Sequence, residues 1–269
     1  MERLFLNIDS KIRNLNNYPN SSYFKIDKNI DLKNIDYIKL VSFELVNNFY
    51  VFTNGRHNIS FIIKYNSVDY TITISERNYT ISELLTEIND KITSVIGNNI
   101  CTFVNNNNTN IITLNKITVS TLEIDFSNVG TLNDTYKSLG YFLGFRKNNY
   151  IVEEDFNAET QHNVLGDNYL FIKVNDYGNL YIQPNLPIKV FSKIIFKKPV
   201  DNLVYKIQPN FYSFKAPINI NKIEIELIDI FGNRLDIGNI DYSLTVELGQ
   251  VSNCNNYDKN MLNTLNLLL

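Results

Sequence analysis

Lys222-Ile223-Glu224-Ile225-Glu226-Leu227-Ile228 and Tyr242-Ser243-Leu244-Thr245-Val246-Glu247-Leu248 decide how this chain is read. Both alternate apolar with polar residues, the pattern of a strand that buries one face and wets the other. Working outward, similar short runs recur: Tyr23 to Ile26, Tyr37 to Glu44, Phe49 to Phe52, Ile59 to Tyr65, Tyr70 to Ile74, Asn110 to Leu114 and Thr121 to Phe126. Tyr169 to Val174, Leu180 to Ile182, Lys189 to Lys197 and Leu203 to Ile207 complete the set. Many short strands bounded by Asn, Asp, Gly and Pro predict a sandwich or barrel.

Composition agrees. The 269 residues include 44 Asn, 35 Ile, 17 Tyr and 17 Phe, but only two alanines, Ala158 and Ala216, and no Trp. Such a chain is poor helix material and good strand material. Its amino acids are those of A/T-rich codons, which speaks to ancestry more than to mechanism. A net charge of −3 is too balanced for an electrostatic grip on a phosphate backbone. Cys101 and Cys254 are too few for a disulfide framework or a zinc site. No apolar run is long enough to span a membrane, and the first seven residues are too short and polar for a signal peptide.

Two turns carry their own chemistry. Asn54-Gly55, between Thr53 and Arg56, predicts a type I′ hairpin turn. Asn175-Asp176-Tyr177-Gly178 predicts a hairpin linking Tyr169–Val174 to Leu180–Ile182, with Gly178 at a bulge. One segment departs from strand periodicity. Thr80-Ile81-Ser82-Glu83 has the form of a capping box, and Leu84, Leu85, Ile88, Ile92, Val95 and Ile96 follow at helical spacing before Gly97. A second short helix is expected from Asp134 to Gly140. Residues 66–150 therefore read as an α+β insert. Residues 1–65 and 151–269 read as the two parts of an all-β body, the second ending in an arm over Asn253 to Leu269.

The search for chemistry finds little. His57 and His162 lie in polar stretches, where an exposed loop histidine is the ordinary setting. Glu153-Glu154-Asp155 would point to opposite sides of an extended chain, and a run of like charge is usually solvated. Asp229, Asp236 and Asp241 do not follow an EF-hand spacing. Lys193 to Lys198 alternates with Ile194, Ile195 and Phe196 as an ordinary strand does. No phosphate-cradling glycine loop and no nucleophile motif occurs. No catalytic, cofactor or metal residue is assigned, which favours a structural or binding role over an enzyme.

Several segments, in order, resemble jelly-roll capsid components of nucleocytoplasmic large DNA viruses, the giant viruses. They are Asp9 to Arg13 with Tyr18 to Ile26, then Ile35 to Leu45, then Tyr70 to Ile74 with Arg77 to Thr80. Ser138 to Arg146, Ile223 to Asp229, Gly232 to Leu235 and Asp241 to Leu248 follow. The resemblance spans roughly residues 9–248 and implies an antiparallel jelly-roll-type β-sandwich, mainly β, with a small α+β insert carrying one amphipathic helix. It implies a penton (vertex) or minor capsid subunit located in the virion and assembled in host cytoplasm. Its partners would be copies of itself, as a homopentamer, the major capsid protein and other minor capsid proteins. The chain is too small for the double jelly roll of a major capsid protein. Closed rings arise from head-to-tail contacts whose rotation closes, and such interfaces are rich in aromatic residues. The aromatic segments then supply the candidate subunit-interface residues: Phe49, Tyr50, Phe52, Tyr141, Phe142, Phe145, Phe211, Tyr212 and Phe214. Core packing competes for each of them. The alternative function is a β-sandwich binding module, for example a carbohydrate-binding or host-attachment protein, with tyrosine-rich loops to stack on sugars.

Overall fold

The computed structural model describes residues 1–27, 30–46, 49–127, 135–183, 186–196, 205–207 and 211–251. In chain order the strands begin with β1 (Glu2–Asp9), β2 (Tyr23–Ile26), β3 (Leu32–Leu45), β4 (Ser60–Tyr65) and β5 (Val68–Thr73). Helix α1 (Ile81–Ile96) precedes β6 (Cys101–Asn106), β7 (Ile111–Lys116) and β8 (Leu122–Asp125). Helix α2 (Leu139–Leu143) precedes β9 (Asn149–Val152), β10 (Phe156–Gln161), β11 (Tyr169–Val174), β12 (Leu180–Gln183) and β13 (Leu186–Val190). The rest are β14 (Ser192–Phe196), β15 (Tyr205–Ile207), β16 (Phe211–Ile220), β17 (Ile223–Ile228) and β18 (Tyr242–Gln250). Two compact units result, Met1–Phe49 with Asp167–Leu269, and Tyr50–Gly166.

The first unit is a sandwich of antiparallel strands. One sheet has the order β1-β18-β3-β16, the other β15-β14-β11-β17-β2. Leaving aside β15, eight strands form two four-stranded sheets whose neighbours are mostly distant in sequence, the double Greek key of a jelly roll. The alternation seen in the sequence sends Leu244, Val246 and Leu248 of β18, with Ile8, Ile38 and Leu40, into the same core as Phe24, Leu170, Ile172, Ile194, Ile225 and Leu227 of the other sheet. The hairpin β12–β13 adds a smaller cluster, in which Val190 meets Phe171 and Ile228.

The second unit, inserted between β3 and β11, has sheets ordered β5-β4-β8-β9 and β10-β7-β6. Its core gathers Phe61, Phe103, Phe126 and Phe145 with Leu84, Leu85, Ile88 and Ile92 of α1. Thr80 and Glu83 make the capping box, and Gly97 closes the helix in the left-handed conformation at φ 81°. Val95, expected on the apolar stripe, is exposed. The Asn89 side chain accepts from the Phe103 N–H at 2.8 Å and donates to the Phe103 carbonyl at 3.0 Å. Helix α1 thereby supplies partners to an edge strand whose backbone would otherwise be unpaired there.

Several expectations are corrected. The sequence-based boundaries at 65/66 and 150/151 fall inside the second unit, because β4 pairs with β5 and β8, and β10 pairs with β7. Thr53–Arg56 is no hairpin turn. Asn54–Arg56 is a turn of 3-10 helix, and the left-handed residue is His57. The buried Asn58 side chain donates to the Val51 carbonyl at 2.8 Å and accepts from the Thr53 N–H at 3.0 Å, satisfying backbone that a hairpin would have paired. Phe49 to Phe52 is correspondingly not a strand, and only Phe52 makes a bridge, to Arg77. Asn175–Gly178 does turn, but β11 pairs with β14 and β17, and β12 with β13. A Cβ on Gly178 would stand 2.3 Å from the Val190 carbonyl oxygen, so close backbone approach, not a bulge, requires glycine there. Lys189 to Lys197 breaks at Phe191, which is buried between β13 and β14. The second short helix starts at Leu139, after a 3-10 turn at Thr135–Lys137. Asp134, Lys197, Lys198, Leu203, Val204 and the expected arm Asn253 to Leu269 with Cys254 lie outside the described residues.

Candidate functional site

The nine candidate rings take three kinds of place. Phe52 and Phe145 are fully buried in the core of the second unit, Phe52 with its ring centroid 5.2 Å from that of Phe142 and 5.6 Å from that of Tyr79. Phe49, Phe142, Tyr212 and Phe214 are half-buried against their own cores. Tyr212 stacks on Tyr177 at 5.6 Å, and Phe214 meets the same ring edge-on at 4.9 Å. Tyr141 is half-buried beneath the Arg146 guanidinium, 4.0 Å from its ring centroid. Tyr50 and Phe211 are each 50% exposed. Alternation along β16 explains one contrast: Tyr212 and Phe214 face the core, so Phe211 and Ser213 face outward.

The outward face of β1-β18-β3-β16 holds a group of residues that local sequence does not announce. Register places Phe5 opposite Glu247, Glu247 opposite Lys39, and Lys39 opposite Phe211. Directly opposed residues share a face. Glu247 is 8% exposed. It accepts a hydrogen bond from the Tyr37 hydroxyl at 2.7 Å, with Arg3 at 3.6 Å and Lys39 at 3.9 Å. That hydrogen bond, with burial, raises the Tyr37 hydroxyl pKa above its ordinary value.

A second network lies at the loop ends. The Arg13 guanidinium, almost wholly buried, reaches the Asp241 carboxylate at 2.5 Å, the Ser10 carbonyl at 2.8 Å and the Tyr18 carbonyl at 3.2 Å. The Ser10 hydroxyl donates to Asp241 at 3.0 Å and accepts from the Tyr242 N–H at 2.9 Å. Burial opposes the Asp241 charge, but the hydrogen bonds from Arg13 and Ser10 outweigh it and hold the carboxyl below its usual range. Nothing local marks this pair, 228 residues apart in sequence.

The polar residues singled out in the sequence serve the fold. The Asp155 carboxylate accepts from the Lys116 N–H at 2.6 Å, the Lys116 ammonium donates to the Glu153 carbonyl at 2.9 Å, and Glu154 is exposed. Asp229 accepts from the N–H groups of Phe231 and Asn233, both at 2.8 Å, and Asp236 from that of Gly238 at 2.9 Å, as turn-forming aspartates do. Lys193 places its ammonium 3.8 Å from the ring centroid of Tyr169. His57 is exposed. Both ring nitrogens of His162 are buried without a hydrogen-bond partner, and burial lowers its pKa. Cys101 is a free, buried thiol that burial pushes up to about 12, well away from the range of a reactive thiolate. A cleft of about 270 Å³ beside Lys173, Asn175 and Lys222 is lined by charges that already face one another, Lys173 with Glu226 at 2.9 Å and Lys222 with Glu224 at 3.8 Å. Among the described residues, no group of three His, Cys, Asp or Glu is arranged to hold a metal ion, and no helix is long and apolar enough to cross a membrane.

No family model matches the chain, and no curated protein does. Among solved structures it is similar to the selenomethionine-labelled mavirus penton protein, at 12% identity and a TM-score of 0.40, over 93% of this chain and 100% of that one. It also aligns with β-fructofuranosidase from Schwanniomyces occidentalis complexed with fructosyl-erythritol, at 10% identity and a TM-score of 0.17, over 92% of this chain and 33% of that one. At these values neither likeness bears on what this chain does.

Proposed function

We propose that this chain is a structural subunit of the virion of a large DNA virus, acting through contacts between subunits and not through a catalytic centre. The observation that carries the reading is the strand order of the first unit, β1-β18-β3-β16 facing β2-β17-β11-β14, four of whose strands, β2, β3, β17 and β18, come from segments that resemble jelly-roll capsid components. Fold alone does not define function, so the ordered resemblance and the fold are needed together. The finer proposal is a vertex position as a homopentamer bordered by the major capsid protein and other minor capsid proteins, assembled in host cytoplasm. A single jelly roll with one inserted unit suits it. The nine rings remain the proposed subunit-interface residues. Of these, Tyr50 and Phe211 are exposed enough to meet another molecule without unfolding. Light scattering on a sizing column, with negative-stain images of the peak, tests the proposal. A pentameric mass with a ring outline supports it. A monomer at every concentration that binds selectively on a glycan array would replace it with a carbohydrate-binding module.

A further inference from the structure

We propose that Asn54 is a site of spontaneous deamidation in the folded protein, passing through a cyclic imide to aspartate and isoaspartate and undoing the turn that carries it. Of the chain's 44 asparagines it alone precedes a glycine. In the reaction the Gly55 nitrogen attacks the Asn54 side-chain carbonyl carbon, the Cγ–N bond breaks and ammonia leaves. Water then opens the imide at either carbonyl. One water is taken up and one ammonia released, with no oxidant, metal or enzyme. A glycine favours the attack because it has no Cβ to crowd its nitrogen or to restrict the backbone as the ring closes.

The fold leaves both reacting groups accessible. Asn54 and Gly55 are exposed. Among the described residues, neither the Asn54 side-chain amide nor the Gly55 N–H has a hydrogen-bond partner. Asn58, four residues on, is buried with its amide engaged on both sides, and is protected by the same criteria. Attack requires the backbone at Asn54 to leave its 3-10 conformation. That single turn is held by the Arg56 N–H on the Thr53 carbonyl and hydroxyl, both at 3.2 Å, and by the His57 N–H on the Asn54 carbonyl at 2.9 Å. So short a 3-10 turn on the surface opens locally at small cost, and the buried Thr53 and Asn58 confine the opening to the residues between them. The product has a new carboxylate close to that of Glu76, which accepts from the Asn54 N–H at 3.1 Å, and like charges repel. Isoaspartate also lengthens the main chain by one atom between Asn54 and the His57 N–H, so the turn does not re-form. Gly55 does not have a positive φ, so alanine fits there and tests the chemistry without straining the backbone.

Incubation of the full folded chain at about pH 8, with a urea-unfolded sample in parallel, tests this. Peptide mass spectrometry reads the gain of about 1 Da at each asparagine, and methyl transfer from S-adenosylmethionine by an isoaspartyl methyltransferase reports isoaspartate. In the folded protein, Asn54 should convert at least ten-fold faster than Asn66, which precedes Ser67 in the exposed two-residue turn between β4 and β5. Gly55→Ala should slow conversion at 54 at least ten-fold and leave that at 66 unchanged. In the aged protein the His57 amide should exchange its hydrogen at least ten-fold faster. Conversion at 54 no faster than at 66, an unchanged rate in Gly55→Ala, conversion in urea only, or unchanged His57 exchange after ageing would overturn the proposal.

Discussion

Tyr37 covers Gly249 across the sheet: a Cβ at position 249 would stand 2.1 Å from the Tyr37 Cε1 atom. The two residues are direct partners in the β3–β18 register, and the hydroxyl at the far end of the ring holds Glu247. The backbone at 249 is thus shielded by a neighbouring aromatic ring, a known device for glycine in strands.

Gly249→Ala should destabilise the protein by about 1–3 kcal/mol, the cost of overpacking a filled site. In a Tyr37→Ala background the same change should cost much less, because the ring that clashes is gone. Urea midpoints of the four proteins give the coupling, and additive effects would contradict the contact.

Asp241 links stability to acid. Its carboxyl is held below the ordinary range in the folded state, so the stabilisation is present above the unfolded pKa of about 3.9 and is lost as pH falls through the folded value. Asp241→Asn should be less stable at neutral pH, since it leaves the buried Arg13 guanidinium without its counter-charge. The gap between variant and wild type should narrow below about pH 4. Thermal melts at pH 7 and pH 3 check both signs.

His162 acts at higher pH. Burial without partners depresses its folded pKa, so the unfolded chain binds the proton more readily. Stability is complete above the unfolded value of about 6.5 and declines as pH drops from there toward the folded pKa. His162→Phe should remove this decline between pH 7 and pH 5, read as a flatter dependence of the unfolding midpoint.

At the start of α1, Thr80→Ala should cost about 1 kcal/mol and Thr80→Ser little, because the hydroxyl oxygen accepting from the Glu83 N–H at 3.3 Å is what the cap needs. Chemical denaturation of the three proteins would show it, and equal loss in Ser and Ala would argue against the capping role.

How much of this was legible depends on how local the cause is. The cap at Thr80, the stop at Gly97 and the alternation of Ile223–Ile228 and Tyr242–Leu248 are written within one turn or one strand, and they read through to the structure. Strand β1 alternates as clearly, Leu4, Leu6 and Ile8 facing in, yet it sits among charged residues and does not stand out as a run. Strand β16 contains Pro217, and β10 carries four polar residues in six, compositions that mask a strand until its partners are known. The two expected hairpins misled for a common reason. Their turn residues satisfy local backbone geometry equally well when the flanking strands pair elsewhere, and at Thr53–Arg56 the side chain of Asn58 displaced the pairing altogether.

The candidate rings show the same limit. Phe211, Tyr212, Ser213 and Phe214 differ little as neighbours in sequence, but Tyr212 and Phe214 turn inward while Phe211 stays half-exposed. Which face of a strand is the core is fixed only once the opposite sheet is in place.

By itself the sequence determined the local states: which stretches can be strands, where one amphipathic helix begins and ends, and that apolar and polar faces must be separated. Tertiary structure alone decided the pairing that sets Glu2 against Gln250 and Arg13 against Asp241. Backbone hydrogen bonds are the same for every strand, so alternation tells a strand which way to face but not which neighbour to take. That choice comes from burying both sheets around one core at once, and it is this closure that brings Phe5, Glu247, Lys39 and Phe211 into a single row.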